Sequence, residues 1–262
     1  MRLTALCIVL AAVAVPAVHG EAFDQAVDNE TVEQYRLAMI EDVAQSLSGA
    51  RDLRDRLSKQ DFAGARKAWI DARVGWERSE VFTSGFVPEL DEAIDAWPDA
   101  VGGFHGIEAK LFGANPAGVD DEADALIAQL ADLDARVRTM KLTPQGLLDG
   151  VVRLAYEIGD SKVDGGESRL SGTSLNDMRN NADGIDLAYR ILFASRLEIV
   201  DRTAAERVQS GIGQLKALLT VADLKSVDAD NLRKTSEALV VALQAAAPEL
   251  GLGTPTLEEA AR

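Results

Sequence analysis

From Glu30 to Leu57 the apolar residues Val32, Tyr35, Leu37, Met39, Ile40, Val43, Leu47, Leu53 and Leu57 largely keep a spacing of three or four. That spacing is the mark of a helix with one face turned inward. Asp61 then stands as a capping residue before a second stripe, Ala65, Trp69, Ala72 and Trp76. Gly85, Pro88, Pro98, Gly102, Gly103, Gly113 and Pro116 divide the following stretch into short pieces. Regular periodicity returns near Asp120, with Leu126, Leu130, Leu133 and Val137 on one face. Thr143 followed by Pro144 predicts a helix start, a cap and then a proline in the first turn. That helix carries Leu148, Val151, Val152, Ala155 and Ile158. A Gly- and Ser-rich loop over 164–174 leads to a long helix through Leu187, Ile191 and Leu197. Amphipathic stretches over 204–222 and 230–247 complete the pattern. No period-two alternation is sustained, so the expectation is an all-α helical-bundle protein.

The N-terminus departs from this pattern. Residues 5–18 are an unbroken apolar run of fourteen behind Arg2, whereas a helix spanning a bilayer needs ~20. The run predicts a secretory signal over residues 1–20, cut after Gly20 or Ala22, and a helical domain over 21–262. Cys7 lies too early in the run to carry a lipid. The expected location is the periplasm. Loss of residues 1–20 leaves no cysteine and one histidine, His105, and moves the net charge from −16 to −17 as Arg2 departs. With no disulfide available, the remaining ~240 residues must hold together by their core, which a chain of that length can do. The acidity excludes a general nucleic-acid binder, because no basic stripe exists to neutralise phosphates. It permits cation binding, although most carboxylates at this density are solvated helix faces.

The broken middle section holds the candidate chemistry. In VGGFHGIEAKLFG, residues 101–113, His105 precedes Glu108 by three positions, just behind the pair Gly102 and Gly103. Helical positions three apart lie ~60° apart around the axis, so an imidazole and a carboxylate can reach one ion, as Glu-x-x-His pairs do in metal-binding bundles. The glycine pair lets the backbone turn sharply into that helix. Taken singly, the pair describes a hydrogen-bonded core histidine and a surface glutamate just as well. Other carboxylates point the same way. In WERSE, Glu77 and Glu80 are three apart beside Trp69, Trp76 and Phe82, which should be core. In ELDEAIDAW, Asp91 and Asp95 share one side of a short helical piece, and Glu167 sits in the glycine-rich loop DGGESRLSG. Together they can offer one nitrogen and several oxygens to a single ion.

With these residues in view, the chain resembles a known family. GFHGIEAKLFG is similar to the GxHxxE motif of imelysin-like proteins, specifically the EfeO-like periplasmic iron-uptake proteins. Residues 142–184 resemble the family's second block, which runs from a TPQ helix start through a GEEDxYSHTDL-type loop to an Asn-x-x-Gly turn. WERSE matches its Trp- or Tyr-Glu-x-x-Glu segment, and the resemblance covers roughly residues 69–193. It implies a bilobed all-helical fold of two four-helix bundles with a metal cleft between them. It also implies that His105, Glu108, Glu77, Glu80, Asp95 and Glu167 line that cleft. The implied role is capture of iron in an EfeUOB-type uptake system, with an inner-membrane permease and a periplasmic peroxidase as partners. There is a departure. Where the family loop reads Tyr-Ser-His-Thr-Asp, this chain has Leu170-Ser171-Gly172-Thr173-Ser174, so a second histidine and an aspartate are absent. Longer members add an N-terminal copper-binding cupredoxin domain; this chain is similar to the short, single-domain form.

The donor chemistry bears on the ion. Carboxylates prefer hard cations and one imidazole admits borderline transition metals, which suits iron; zinc or copper can take such a site in vitro because they bind more tightly than ferrous iron. Calcium prefers all-oxygen sites. Two other readings were weighed. Imelysin-like proteins carry a peptidase label, but helical zinc peptidases use HExxH, and this chain has neither a second mature histidine nor a glutamate beside His105. A cation-bridged polysaccharide-binding or interaction module has only the net charge in its favour. The sequence therefore points to a metal-binding protein, with the interaction module second and an enzyme last.

Overall fold

The computed structural model describes residues 29–97, 101–113, 116 and 118–257. The expected signal and its cleavage point lie outside the described residues. Among the described residues there are ten α-helices and no strand: α1 (Asn29–Ser58), α2 (Phe62–Phe86), α3 (Pro88–Asp95), α4 (Gly103–Leu111), α5 (Val119–Val137), α6 (Pro144–Glu157), α7 (Ser174–Ala188), α8 (Ala194–Val200), α9 (Arg202–Leu218) and α10 (Ala229–Ala246). The all-α expectation is met.

Local signals set several boundaries. Asp61 accepts a hydrogen bond from the Gly64 N–H at 2.9 Å and opens α2. Thr143 accepts one from Gly146 at 3.2 Å and opens α6, with Pro144 in the first turn. Each such cap satisfies a backbone donor that the first helical turn leaves unpaired, worth about 1 kcal/mol.

Helices α1, α2, α4 and α5 pack together, with α3 against them, while α6, α7, α9 and α10 form a second group joined by α8. Helix α2 also packs on α6 and α7, so one apolar core runs through both groups. Trp69, Trp76 and Phe82, all on α2, are fully buried in that core. Close approach is built in with glycine: a Cβ on Gly150 of α6 would lie 1.7 Å from the Val81 carbonyl oxygen of α2.

Two stripes differ from the simple periodic expectation. Leu37 faces solvent, 63% exposed. The long helix expected through Leu187 and Ile191 is instead α7 and α8 joined by a π-helical turn, Tyr189–Phe193. A π turn holds more residues than an α turn and rotates the face that follows. The inward face therefore passes through Ile185, Ala188, Tyr189, Leu192, Phe193 and Leu197, and leaves Leu187 and Ile191 half-buried. A second π turn, Ile158–Lys162, extends α6 and ends on a buried lysine.

Candidate metal centre

Helices α3 and α4 meet at a tight corner. Gly102 and Gly103 have φ of 80° and 55°, a region that favours glycine. A Cβ on Gly103 would also stand 2.5 Å from the Ile94 carbonyl oxygen. This corner presses the first turn of α4, with His105, against the last residue of α3, Asp95. The glycine-rich loop 163–173 closes over them from the other helix group and brings Glu167.

His105 is buried, and its two ring nitrogens have different surroundings. Nδ1 lies 3.0 Å from Glu108 Oε2. The other Glu108 oxygen accepts hydrogen bonds from the Leu170 N–H at 3.1 Å, the Ser171 N–H at 2.8 Å and the Ser171 hydroxyl at 2.6 Å. Burial opposes the Glu108 charge, but the hydrogen bonds from His105 and Ser171 outweigh it and hold the carboxyl below its ordinary pKa. An ionised acceptor there favours the tautomer with its proton on Nδ1 and a lone pair on Nε2, as carboxylates behind metal-binding histidines do. That Nε2 is buried, has no hydrogen-bond partner, and lies 3.6 Å from Asp95 Oδ1.

Asp95 Oδ1 accepts the Trp76 indole N–H at 3.1 Å. The Trp97 ring, 42% exposed, stands beside the His105 ring with centroids 5.2 Å apart. Glu167 Oε2 is buried 3.1 Å from the Lys162 ammonium but without an aligned hydrogen bond. Burial, with Lys162 countering only in part, pushes the Glu167 carboxyl up to about 8. Ligand atoms of Asp95, His105 and Glu167 all lie within 4.8 Å of one another. Nitrogen and oxygen ligands sit about 2.0–2.2 Å from a transition metal, so opposite ligands are separated by roughly 4 Å. Small side-chain movements would close this group on one ion. Its make-up, one imidazole and two carboxylates, suits a borderline or hard cation.

Glu77 and Glu80, one turn apart on α2, are not brought into that group. Glu77 pairs with Arg73, and its Oε2 lies 3.5 Å from Lys162 Nζ. Glu80 Oε2 accepts from Lys162 at 2.9 Å and from Asn181 Nδ2 at 2.6 Å. Burial raises the Glu77 carboxyl well above its ordinary value despite Arg73, while Lys162 overcomes burial at Glu80 and lowers it to about 2. Arg73 also approaches Asp95 at 3.6 Å and Asp177 at 3.5 Å, with its guanidinium over the Trp69 and Phe104 rings. A cavity of about 240 Å³ opens beside the group, lined by Glu80, Asp91, Asp95, Arg153, Glu157 and Glu167 with Trp97 at its edge.

Comparison with known proteins places the chain. The family model described as Imelysin matches residues 31–102 and 99–250. The chain belongs to the imelysin family. Within it, the chain is 29% identical over 198 residues to the iron uptake system component EfeO of Yersinia pseudotuberculosis, covering 72% of this chain and 52% of that protein. It is 28% identical over 200 residues to the iron uptake system component EfeM of Pseudomonas syringae, covering 72% and 69%. It is 30% identical over 186 residues to an EfeM/EfeO family lipoprotein of Staphylococcus haemolyticus, covering 66% and 63%. The chain thus spans about half the length of the EfeO relatives it matches. A crystal structure described as an iron-regulated protein A precursor from Parabacteroides distasonis shares the fold, with a TM-score of 0.63 at 15% identity over 83% of this chain and 91% of that one.

The pattern of the imelysin chain did not reveal its buried cations. Arg73 was legible in principle, since it lies four residues after Trp69 and three before Trp76, on the same inward stripe. A charge on such a stripe must be paired. Lys162 carried no comparable signal, because a π turn brings it inward.

Proposed function

We propose that this chain is a metal-capturing component of an extracytoplasmic iron-uptake system, with iron as its cargo. The observation that carries this reading is the group of Asp95, His105 and Glu167, whose ligand atoms lie within 4.8 Å of one another. His105 Nε2 and Glu167 Oε2 make no hydrogen bond there. Buried polar atoms are normally satisfied, so two such atoms converging on one point suit a ligand that is a cation. Iron is favoured because the family relatives named above are iron uptake components and because the donor set mixes nitrogen with hard oxygen.

In this reading His105, Asp95 and Glu167 bind the ion directly. Glu108 orients His105 and ties it to the loop that carries Glu167. Glu80 contributes negative field from behind Lys162, with the Glu77 carboxyl beside it. Export follows the N-terminal signal to the periplasm, where an inner-membrane permease accepts the ion and a periplasmic peroxidase accompanies it. Among the described residues no helix is long and apolar enough to cross a membrane. Zinc or copper would compete in vitro. No catalytic role is assigned: Glu108, the acid of the HxxE motif, is bound by His105 and the loop and not poised as a free base.

Metal analysis of protein purified without chelator or nickel resin, followed by calorimetric titration with ferrous and ferric iron, tests the reading. One tightly held ion, lost in His105→Ala, is expected. A native chain that takes up no transition metal would overturn it.

A further inference from the structure

Lys162 stands where a second cation would stand. Its Nζ lies 2.9 Å from Glu80 Oε2, 3.1 Å from Glu167 Oε2 and 3.5 Å from Glu77 Oε2. The side chain is only 5% exposed. One carboxylate would be enough to pair a buried ammonium; here three converge on it from α2 and the glycine-rich loop. Glu167 is the shared member, since it faces Lys162 on one side and the Asp95–His105 pair on the other. Glu167 is 8% exposed, and its Oε2 is buried and makes no hydrogen bond to either. A carboxylate placed between two cation positions is the layout of two-ion sites, whose ions lie about 3.5–4 Å apart.

We propose that the Lys162 ammonium occupies a second cation position, formed by Glu77, Glu80 and Glu167, and thereby limits the cleft to one metal ion. This rests on the reading of Asp95, His105 and Glu167 as a metal site. The second position is all oxygen, so with the ammonium gone it would take a hard divalent cation. Because the ammonium is tethered, it is present at every metal concentration and a free ion cannot outlast it. It also competes with the ion for Glu167, and its positive charge beside the site holds affinity down, which suits a protein that must release its cargo.

The test uses the full mature chain and Mn²⁺, followed by calorimetry and electron paramagnetic resonance. The native protein should bind one Mn²⁺ with the spectrum of an isolated ion. Lys162→Met should bind two, with the isolated-ion signal lost to coupling between neighbouring spins, and should hold the first ion at least tenfold more tightly. Lys162→Arg, which keeps the charge, should stay at one. A folded Lys162→Met protein that still binds one ion overturns the proposal, as does a Lys162→Arg protein that binds two. If Lys162→Met unfolds without metal, its helix content is followed during Mn²⁺ titration. Recovery requiring two equivalents supports the proposal; recovery with one, or none, overturns it. A native chain that binds no Mn²⁺ or iron fails the metal-site reading itself, and so is distinguished from failure at Lys162.

Discussion

Glu80 and Glu167 are both buried in the same cleft and both lie about one hydrogen-bond length from the same lysine, at 2.9 and 3.1 Å. Their fates differ. Burial would raise Glu80, but it is held at about 2 because Lys162 meets its oxygen directly, the Glu77 carboxyl hydrogen-bonds to it and Arg153 adds positive field. Glu167 is pushed up to about 8, because burial and the nearby Asp95 and Glu80 charges outweigh an ammonium it does not engage squarely. Distance to a counter-charge is therefore a poor guide to what a buried carboxylate does. Alignment and the remaining neighbours decide. On the Glu80 side the carboxylates are absorbed into structure; on the Glu167 side they keep unspent capacity for a cation.

The sharpest way to break this contrast is to remove the atom that makes the Glu167 side a site. His105→Ala should weaken metal binding by more than about 100-fold, beyond the 10–100-fold typical of groups that only orient a ligand. Helix content should be unchanged, since the core is spread over both helix groups. Glu122→Ala, on α5 and paired with Lys110, should leave affinity as it is and so control for general charge. Calorimetric titration beside circular dichroism decides; tight binding by His105→Ala would merge the two sides into one structural network.

On the Glu80 side the large effect should be on folding instead. Arg73 is 1% exposed and meets Glu77, Asp95 and Asp177. Arg73→Met removes a buried partner and leaves those carboxylates uncompensated, a change that costs about 3–5 kcal/mol. Urea unfolding of the metal-free protein should show it as a lower midpoint at unchanged slope. A loss below about 1 kcal/mol would mean that the buried charges relax without their cation.

How much of this contrast could be read beforehand depends on what each feature leaves in the sequence. Helices were legible because caps and apolar stripes are local: Asp61 and Thr143 do what their side chains dictate. The corner at Gly102 and Gly103 was legible for the same reason. His105 and Glu108 were legible as a pair, but spacing alone does not say whether both reach an ion or one holds the other. The structure puts Glu108 behind the ring. Glu77 and Glu80 were expected beside the ion, yet Arg73 and Lys162 claim them, and the lysine arrives through a π turn that no residue pattern announces. The same loop, where Gly172 and Ser174 stand in place of the family's histidine and aspartate, supplies through Leu170 and Ser171 the three donors that hold Glu108.

A smaller effect sharpens the role of that clamp. Glu108→Gln keeps the shape but no longer forces the Nδ1 proton, so the ring can present its N–H to the ion. Affinity should fall by about 10–100-fold, less than in His105→Ala. Glu77→Gln and Glu80→Gln should lose less than about tenfold, since Lys162 and Arg73 hold these carboxyls away from the ion. A Glu108→Gln loss as large as that of His105→Ala would make Glu108 a direct ligand.

The smallest expected change tests whether alignment also governs the cavity wall. Asp91 lines the cavity with one oxygen held by the Thr83 hydroxyl, and burial pushes its carboxyl from 3.8 up to about 7. Between those values the folded protein holds a proton that the unfolded chain has released. Stability contributed by this group is thus present in full below about pH 3.8 and falls as pH rises through about 7. Asp91→Asn cannot ionise and should escape that loss. The gain should be about 1–2 kcal/mol at pH 8, well short of the roughly 4 kcal/mol that three pKa units represent, because Asp91 is only half-buried and solvent screens its charge. Near pH 3 the difference between variant and parent should vanish. Urea unfolding at the two pH values reads both numbers. Equal stability at pH 8 would show that Arg153 already compensates Asp91 as completely as Lys162 compensates Glu80, placing Asp91 on the structural side of the cleft.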